Sequence, residues 1–238
     1  MKKSTIVILH GWGVHGGKYQ ELIDELKKKE FLAYAPDLPG FGKEKLTQSA
    51  MDVDAYVDFV KEFIKKKKLK EIVIIAHSFG GRIGIKLATQ GLPELNALIL
   101  TGSAGIKSRL TIPKRIVMYA AITLGELFHL PIFLAWKNKI RKLLYFIIGE
   151  WDYYNAGDLR ETFKKVVAED LTPYLPKIKI PTLLVWAEKD SIIPLSDAQR
   201  MNRLIPNAKL IVVPGAGHKL PYEMPHVFLE KILPFLKT

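Results

Sequence analysis

The sequence predicts an α/β fold: a doubly wound, mostly parallel six-stranded sheet with a helical cap inserted into it. Three observations carry this. Apolar runs of strand length alternate with amphipathic helical stretches. The runs are continuous in Val, Ile and Leu, as in strands covered on both faces. The alternation then stops over 103–169, where helical patterns replace strands, punctuated by Pro113, Pro131 and Gly149. The core is therefore expected over 1–102 and 170–238, with the cap over 103–169.

In chain order, "TIVILH" (5–10) reads as the first strand. Leu22 and Leu26 mark a helix face over 18–29, and "FLAYAPD" (31–37) is the second strand. Val53, Tyr56, Val57, Val60, Phe63 and Ile64 recur at helical spacing over 52–67. "EIVIIAH" (71–77) is the third strand, followed by a helix to about Gly91. "NALILTG" (96–102), "TLLVWAEKD" (182–190) and "AKLIVVPG" (208–215) are the remaining strands, and a helix closes the chain over about 223–236.

Composition narrows the function. With 238 residues, 48% of them hydrophobic, the chain can bury a substantial core. It has no cysteine, which removes disulfides, thiolate catalysis and Cys-ligated zinc. That suits a reducing compartment, and a cytoplasmic location is expected. The apolar run Ile6–Leu9 is too short for the core of a signal peptide and reads as a strand. Ile116–Trp136 approaches the length of a membrane span, but Glu126, His129 and Pro131 interrupt it. Two short helices over a pocket are expected there, and no transmembrane segment. The formal charge of +12 comes largely from lysines in stretches such as "VKEFIKKKKLK". These read as solvated helix faces. They lack interleaved aromatics and any nucleic-acid-binding signature, so no nucleic acid partner is expected. His15, His129 and His226 have no ligand spacing, so no metal is expected, and no phosphate-binding loop is present.

The informative stretch is "IVIIAHSFGGRIGIKLA" (72–88). "A-H-S-F-G" (76–80) is a near match to G-x-S-x-G, with Ala76 in place of the first glycine. The motif has a mechanical basis. Its serine sits at the tip of a sharp strand-to-helix turn, in a sparsely allowed conformation. The residues two before and two after must be small, or side chains collide across the turn. The helix N-terminus then directs its dipole and its amides at the serine. A plain serine helix cap is the alternative for these five residues, and partners elsewhere in the chain decide between the two.

With these residues the sequence resembles the α/β-hydrolase superfamily over nearly its whole length, in its branch of serine esterases and C–C hydrolases with a helical cap. The resemblance implies a catalytic triad in the order Ser78, Asp190, His218. Asp190 lies in "WAEKDSIIP" and His218 in "PGAGHKLPYEMP", which resemble the family's acid turn and histidine loop. Some members carry the acid after the fourth strand, but here that position reads "LTGSAG", with no carboxylate. "H-G-W-G" (10–13) resembles the family's oxyanion loop, which implies the backbone N–H groups of Trp12 and Phe79 as the oxyanion hole. His10 and Asp37, in "D-L-P-G-F-G" (37–42), are implied to be structural. His77 points to the opposite face of its strand from Ser78, so it is not the base. Members often have two more strands before the His-Gly loop. Only nine residues precede His10, so the expected order is 2-1-3-4-5-6.

The expected activity is hydrolysis of carboxylic esters with an apolar acyl or aryl group, through an acyl-enzyme and without a cofactor. Trp12, Phe79, Met118, Tyr119, Phe128, Phe133 and Trp136 are candidates for the pocket wall. Three alternatives remain: a C–C hydrolase of diketone-type ring-cleavage products, a methyl esterase acting on acyl groups of an acidic carrier protein, and a non-catalytic small-molecule-binding member. The carrier reading rests on charge. Residues 106–165 hold 11 Lys/Arg against 5 Asp/Glu, densest at "KNKIRK" (137–142).

Overall fold

A computed structural model describes residues 4–106 and 157–237. Six strands, β1 (Thr5–Leu9), β2 (Leu32–Tyr34), β3 (Ile72–His77), β4 (Leu95–Thr101), β5 (Thr182–Ala187) and β6 (Ala208–Val213), form one sheet in the order β2-β1-β3-β4-β5-β6. Every neighbouring pair is parallel. The order and direction are those expected from the sequence.

The helices cover both faces, as the continuous apolar runs require. Alternate strand residues point to opposite sides. On one side Ile6, Ile8, Val73, Ile75 and Val185 pack against α1 (Gln20–Lys28) and the C-terminal helix α6 (Pro225–Leu236), through Leu22, Leu26, Phe228 and Ile232. On the other side Val7, Leu9, Ile74, Leu98 and Trp186 pack against α2 (Val53–Lys66), α3 (Phe79–Thr89) and α5 (Leu195–Leu204). Each such side chain contributes about 1.5–3 kcal/mol when fully buried. Asp52 caps α2 by accepting a hydrogen bond from the Ala55 N–H at 2.9 Å. At the other end Lys65 and Lys66 complement the helix dipole, which is the local reason for part of the lysine run.

Three elements differ in length or number from the sequence reading. β2 stops at Tyr34, where its pairing with β1 ends, and the following residues leave the sheet beside the loop after β1, whose Gly16 abuts the Ala35 carbonyl. Glu188–Asp190 form a turn rather than the end of β5. α5 buries only Ala198 and Met201, so it leaves little apolar periodicity to read. A further helix, α4 (Arg160–Ala168), lies within the span expected for the cap. It touches the core: Val166 is buried there, and the Met51 N–H donates to Thr162 Oγ1 at 3.1 Å. Lys86 ties this segment to α2, bonding Asp54 and Glu169 at 2.7 Å each. Among the described residues no helix is long and apolar enough to cross a membrane. The stretch Ile116–Trp136 lies outside the described residues.

The topology also sets where a site can form. The chain runs from β1 to β2 on one side, then returns to β3 on the other. The loops after β1 and β3 therefore diverge and leave a crevice at the strand C-terminal ends.

Candidate active site

Ser78 occupies the turn between β3 and α3 with φ 53° and ψ −114°. A non-glycine residue held there costs on the order of 1–3 kcal/mol, so surrounding bonds must impose it. The Ser78 N–H donates to the Thr101 carbonyl at 3.1 Å, and the Ser78 carbonyl accepts from Gly81 and Ala104 at 3.0 Å each. Its hydroxyl makes no capping bond to the helix. The small residues are sterically required. A Cβ on Gly80 would lie 2.3 Å from the Leu9 carbonyl oxygen, and Ala76 faces Gly84 across the strand–helix contact. The Gly80 N–H also donates to the His10 carbonyl at 3.1 Å, joining the turn to the loop after β1.

Asp190 and His218 lie 28 positions apart in sequence, yet His218 Nδ1 sits 2.8 Å from Asp190 Oδ2. The loops after β5 and β6 are sewn together to make this possible. Lys189 N–H donates to Ala216 O at 2.9 Å, and Gly215 N–H to Glu188 Oε2 at 2.9 Å. The Asp190 side chain is fully buried, and its Oδ1 accepts the N–H groups of Ile192 and Ile193 at 2.9 and 2.8 Å. Facing such a carboxylate, His218 Nδ1 carries the proton and donates it, which leaves the Nε2 lone pair available. The structure joins His218 to Asp190 and not to the Ser78 hydroxyl, with which no hydrogen bond is present among the described residues. In unliganded hydrolytic sites such bonds commonly tighten only when substrate binds.

Gly102 connects the three. It follows Thr101, which holds the Ser78 amide, and it has φ +48°. A Cβ there would stand 2.9 Å from His218 Nδ1 and 3.0 Å from Asp190 Oδ2. The position where the sequence shows no carboxylate is thus packed against the pair formed by the later one. Gly102→Ala is expected to displace that pair and to lower any turnover that depends on it roughly 10–100-fold. Side-by-side kcat measurements check this.

Trp12 and Phe79 pack edge-to-face, with ring centroids 5.3 Å apart, and Phe79 is buried in the core. Phe79 opens α3, where first-turn amides have no partner within the helix. Around Trp12 stand Phe41 at 5.0 Å and Phe163 at 4.9 Å, and Tyr56 packs on Phe79 at 4.9 Å. Sequence reasoning missed Phe41, Phe163 and Tyr56 as neighbours of the site. Only Phe41 had a signal, its place inside "DLPGFG". Met118, Tyr119, Phe128, Phe133 and Trp136, together with the basic stretch 137–142, lie outside the described residues.

His10 and Asp37 are scaffolding in their contacts. His10 Nε2 accepts the Leu38 N–H at 2.9 Å, and Nδ1 donates to the Gly11 carbonyl at 2.8 Å. Burial lowers its pKa to about 4. Burial pushes the Asp37 carboxyl upward, but the Lys43 and Gly16 amides outweigh it and hold the group below its ordinary value. The second buried imidazole, His77, is lowered by burial to about 3.

An acid sensitivity follows from the two histidines. Folded, both stay neutral; unfolded, both titrate near 6.5. Their contribution is present above that pH and is lost as pH falls toward about 4 for His10 and about 3 for His77. Each costs about 2 kcal/mol by pH 5. Urea midpoints should fall between pH 7 and 5, and His10→Asn should flatten part of that slope. Among the described residues no cluster of potential metal ligands is present.

Comparison with known proteins agrees with this architecture. The family model described as the alpha/beta hydrolase fold matches residues 4–225. The chain is 26% identical to an uncharacterized hydrolase, YugF, of Bacillus subtilis, over 99% of this chain and 90% of that protein. It is 25% identical to the pimeloyl-[acyl-carrier protein] methyl ester esterase of Nitrosomonas europaea, over 94% of this chain and 92% of the other. An esterase from Exiguobacterium antarcticum has the same fold, with a TM-score of 0.75 at 22% identity, covering 99% of this chain and 92% of that one. With six parallel strands in the family's order and a family match over most of its length, the chain belongs to the alpha/beta-hydrolase-fold family.

Proposed function

We propose that the protein is a serine hydrolase that cleaves carboxylic esters with an apolar acyl or aryl group through an acyl-enzyme. The observation that carries this is the buried Asp190–His218 pair at 2.8 Å, held at the same strand ends as a strained serine. In this reading Ser78 Oγ attacks the ester carbonyl and His218 Nε2 takes its proton. Asp190 keeps the proton on Nδ1 and stabilises the imidazolium as it forms. The N–H groups of Trp12 and Phe79 receive the developing oxyanion; such donors are worth roughly 3–4 kcal/mol each. The intermediate collapses, His218 returns the proton to the departing alcohol, and water repeats the sequence on the acyl group. No cofactor takes part. The aromatic rings of Trp12, Phe41 and Phe163 favour an apolar group beside the serine.

The test is a rapid-mixing assay with p-nitrophenyl esters of increasing chain length. A burst of p-nitrophenol equal to the enzyme concentration, followed by slower turnover, is expected. Binding of the ester without any release would identify a non-catalytic member. A diketone substrate cleaved faster than every ester would move the reading to C–C hydrolysis.

A second reading is favoured by the Nitrosomonas europaea relative, whose name gives a carrier-bound methyl ester as its substrate. Lysines and arginines counted in residues 106–165 would then steer an acidic carrier protein. It predicts that raising salt slows turnover of carrier-linked esters more than that of free esters. An equal salt response removes it.

A further inference from the structure

His77 precedes the proposed nucleophile and takes no part in the chemistry above, yet it is buried and fully bonded. Its Nε2 lies 2.9 Å from the backbone carbonyl of His218. A carbonyl only accepts, so Nε2 carries the hydrogen. In the neutral ring Nδ1 is then an acceptor. Tyr19, buried at the start of α1, places its hydroxyl 2.7 Å from it and must donate. One tautomer satisfies both contacts, and the burial that disfavours charge preserves it.

The ring also touches both sides of the crevice. It packs at a tilt against the His218 ring, centroids 4.9 Å apart, and edge-to-face with Tyr222 at 5.8 Å. On the opposite side it faces the loop after β1: a Cβ on Gly11 would stand 3.3 Å from His77 Nδ1 and 3.2 Å from Ser78 Cβ. The side chain therefore lies between the His-Gly loop and the His218 loop, one residue from the serine.

We propose that His77 is a positioning residue: its Nε2–H holds the main chain of His218, the Tyr19 hydroxyl anchors its other nitrogen, and the ring backs the His-Gly loop, so that base and oxyanion donors keep one geometry. The inference rests on the reading of His218 as the base. Asp190 fixes that imidazole from its own loop, and His77 fixes the backbone from which the ring projects. Removing the second anchor lets the ring rotate or retreat while the first bond persists. A displacement of about 1 Å at a reacting group costs roughly 100-fold in rate.

Two variants test it, with a third as rescue. His77→Leu removes both bonds. Tyr19→Phe keeps the imidazole and its bond to the His218 carbonyl but leaves the buried Nδ1 without a donor, which loosens the ring. His77→Gln restores an acceptor and a donor on one side chain. For folded His77→Leu the account expects kcat on a p-nitrophenyl ester to drop roughly 100-fold with KM within about threefold. For Tyr19→Phe it expects a drop of roughly 10-fold, and His77→Gln should regain at least part of the loss. The second readout needs no turnover: the low-field proton resonance of the His218 Nδ1–H facing Asp190. It should broaden or move in His77→Leu and return in His77→Gln. A folded His77→Leu protein with parental kcat and an unmoved resonance overturns the proposal, as does a Tyr19→Phe protein unchanged in both. If the parent shows no ester turnover but the resonance responds as stated, the esterase reading fails and the positioning role stands.

Discussion

Ser78→Ala is expected to lower kcat on p-nitrophenyl esters by roughly 10⁴–10⁶-fold while leaving the protein folded. The hydroxyl makes no capping bond to α3, so its removal takes nothing from the helix. The backbone bonds that impose the turn, from Ser78 N–H to Thr101 and to the Ser78 carbonyl from Gly81 and Ala104, do not involve the side chain. Activity and stability therefore separate at this residue. Ser78→Gly sharpens the point. Glycine relieves the strain of φ 53°, so this variant should be as inactive yet more stable, by about 1 kcal/mol or roughly 2–4 °C in Tm. A residue kept in a conformation that costs stability is what a nucleophile on a strained turn requires. Steady-state kinetics beside thermal melts of the three proteins measure both quantities.

Asp190→Asn is expected to have the next largest effect, roughly 10⁴-fold in kcat. The parent carboxylate accepts from His218 Nδ1 through one oxygen and from the Ile192 and Ile193 amides through the other. An asparagine must offer either its carbonyl or its amide to the imidazole. The two backbone amides demand the carbonyl at Oδ1, so the NH2 group falls toward His218. Nδ1 then has to accept, the ring proton moves to Nε2, and the lone pair that should take the serine proton is gone. The geometry survives while the protonation pattern inverts. Unlike the serine variants, this one should also lose stability, because a buried, charge-assisted set of bonds becomes a weaker neutral one. Kinetics and denaturant titration of Asp190→Asn against the parent check both parts.

The sequence carried the sheet clearly. β1, β3, β4 and β5 each hold an unbroken apolar run (Ile6–Leu9, Ile72–Ala76, Ala97–Leu100 and Leu183–Ala187) because both faces are covered, and the strand-to-helix turn demands small residues that survive as Ala76 and Gly80. Asp190 and His218 were legible as residues after strands, through a family resemblance. Their contact was not, since it depends on the Lys189–Ala216 and Gly215–Glu188 bonds between two loops. β2 was overestimated, because an apolar run continues past the point where the backbone leaves the sheet at Ala35-Pro36. The helix Leu195–Leu204 left almost no periodicity, burying two side chains. Gly102, Phe163 and the bonds of His77 belong to the same class. Each is set by what the fold brings alongside from distant sequence, and no local pattern encodes it.

The central claim is that Ser78 is the nucleophile. The direct measurement is peptide mass mapping after treatment with a fluorophosphonate, which traps activated serines. The account predicts one adduct per chain, on the peptide carrying Ser78, with parallel loss of ester turnover and no labelling of Ser78→Ala. An adduct on another residue, or full turnover in a protein completely labelled at Ser78, would contradict it.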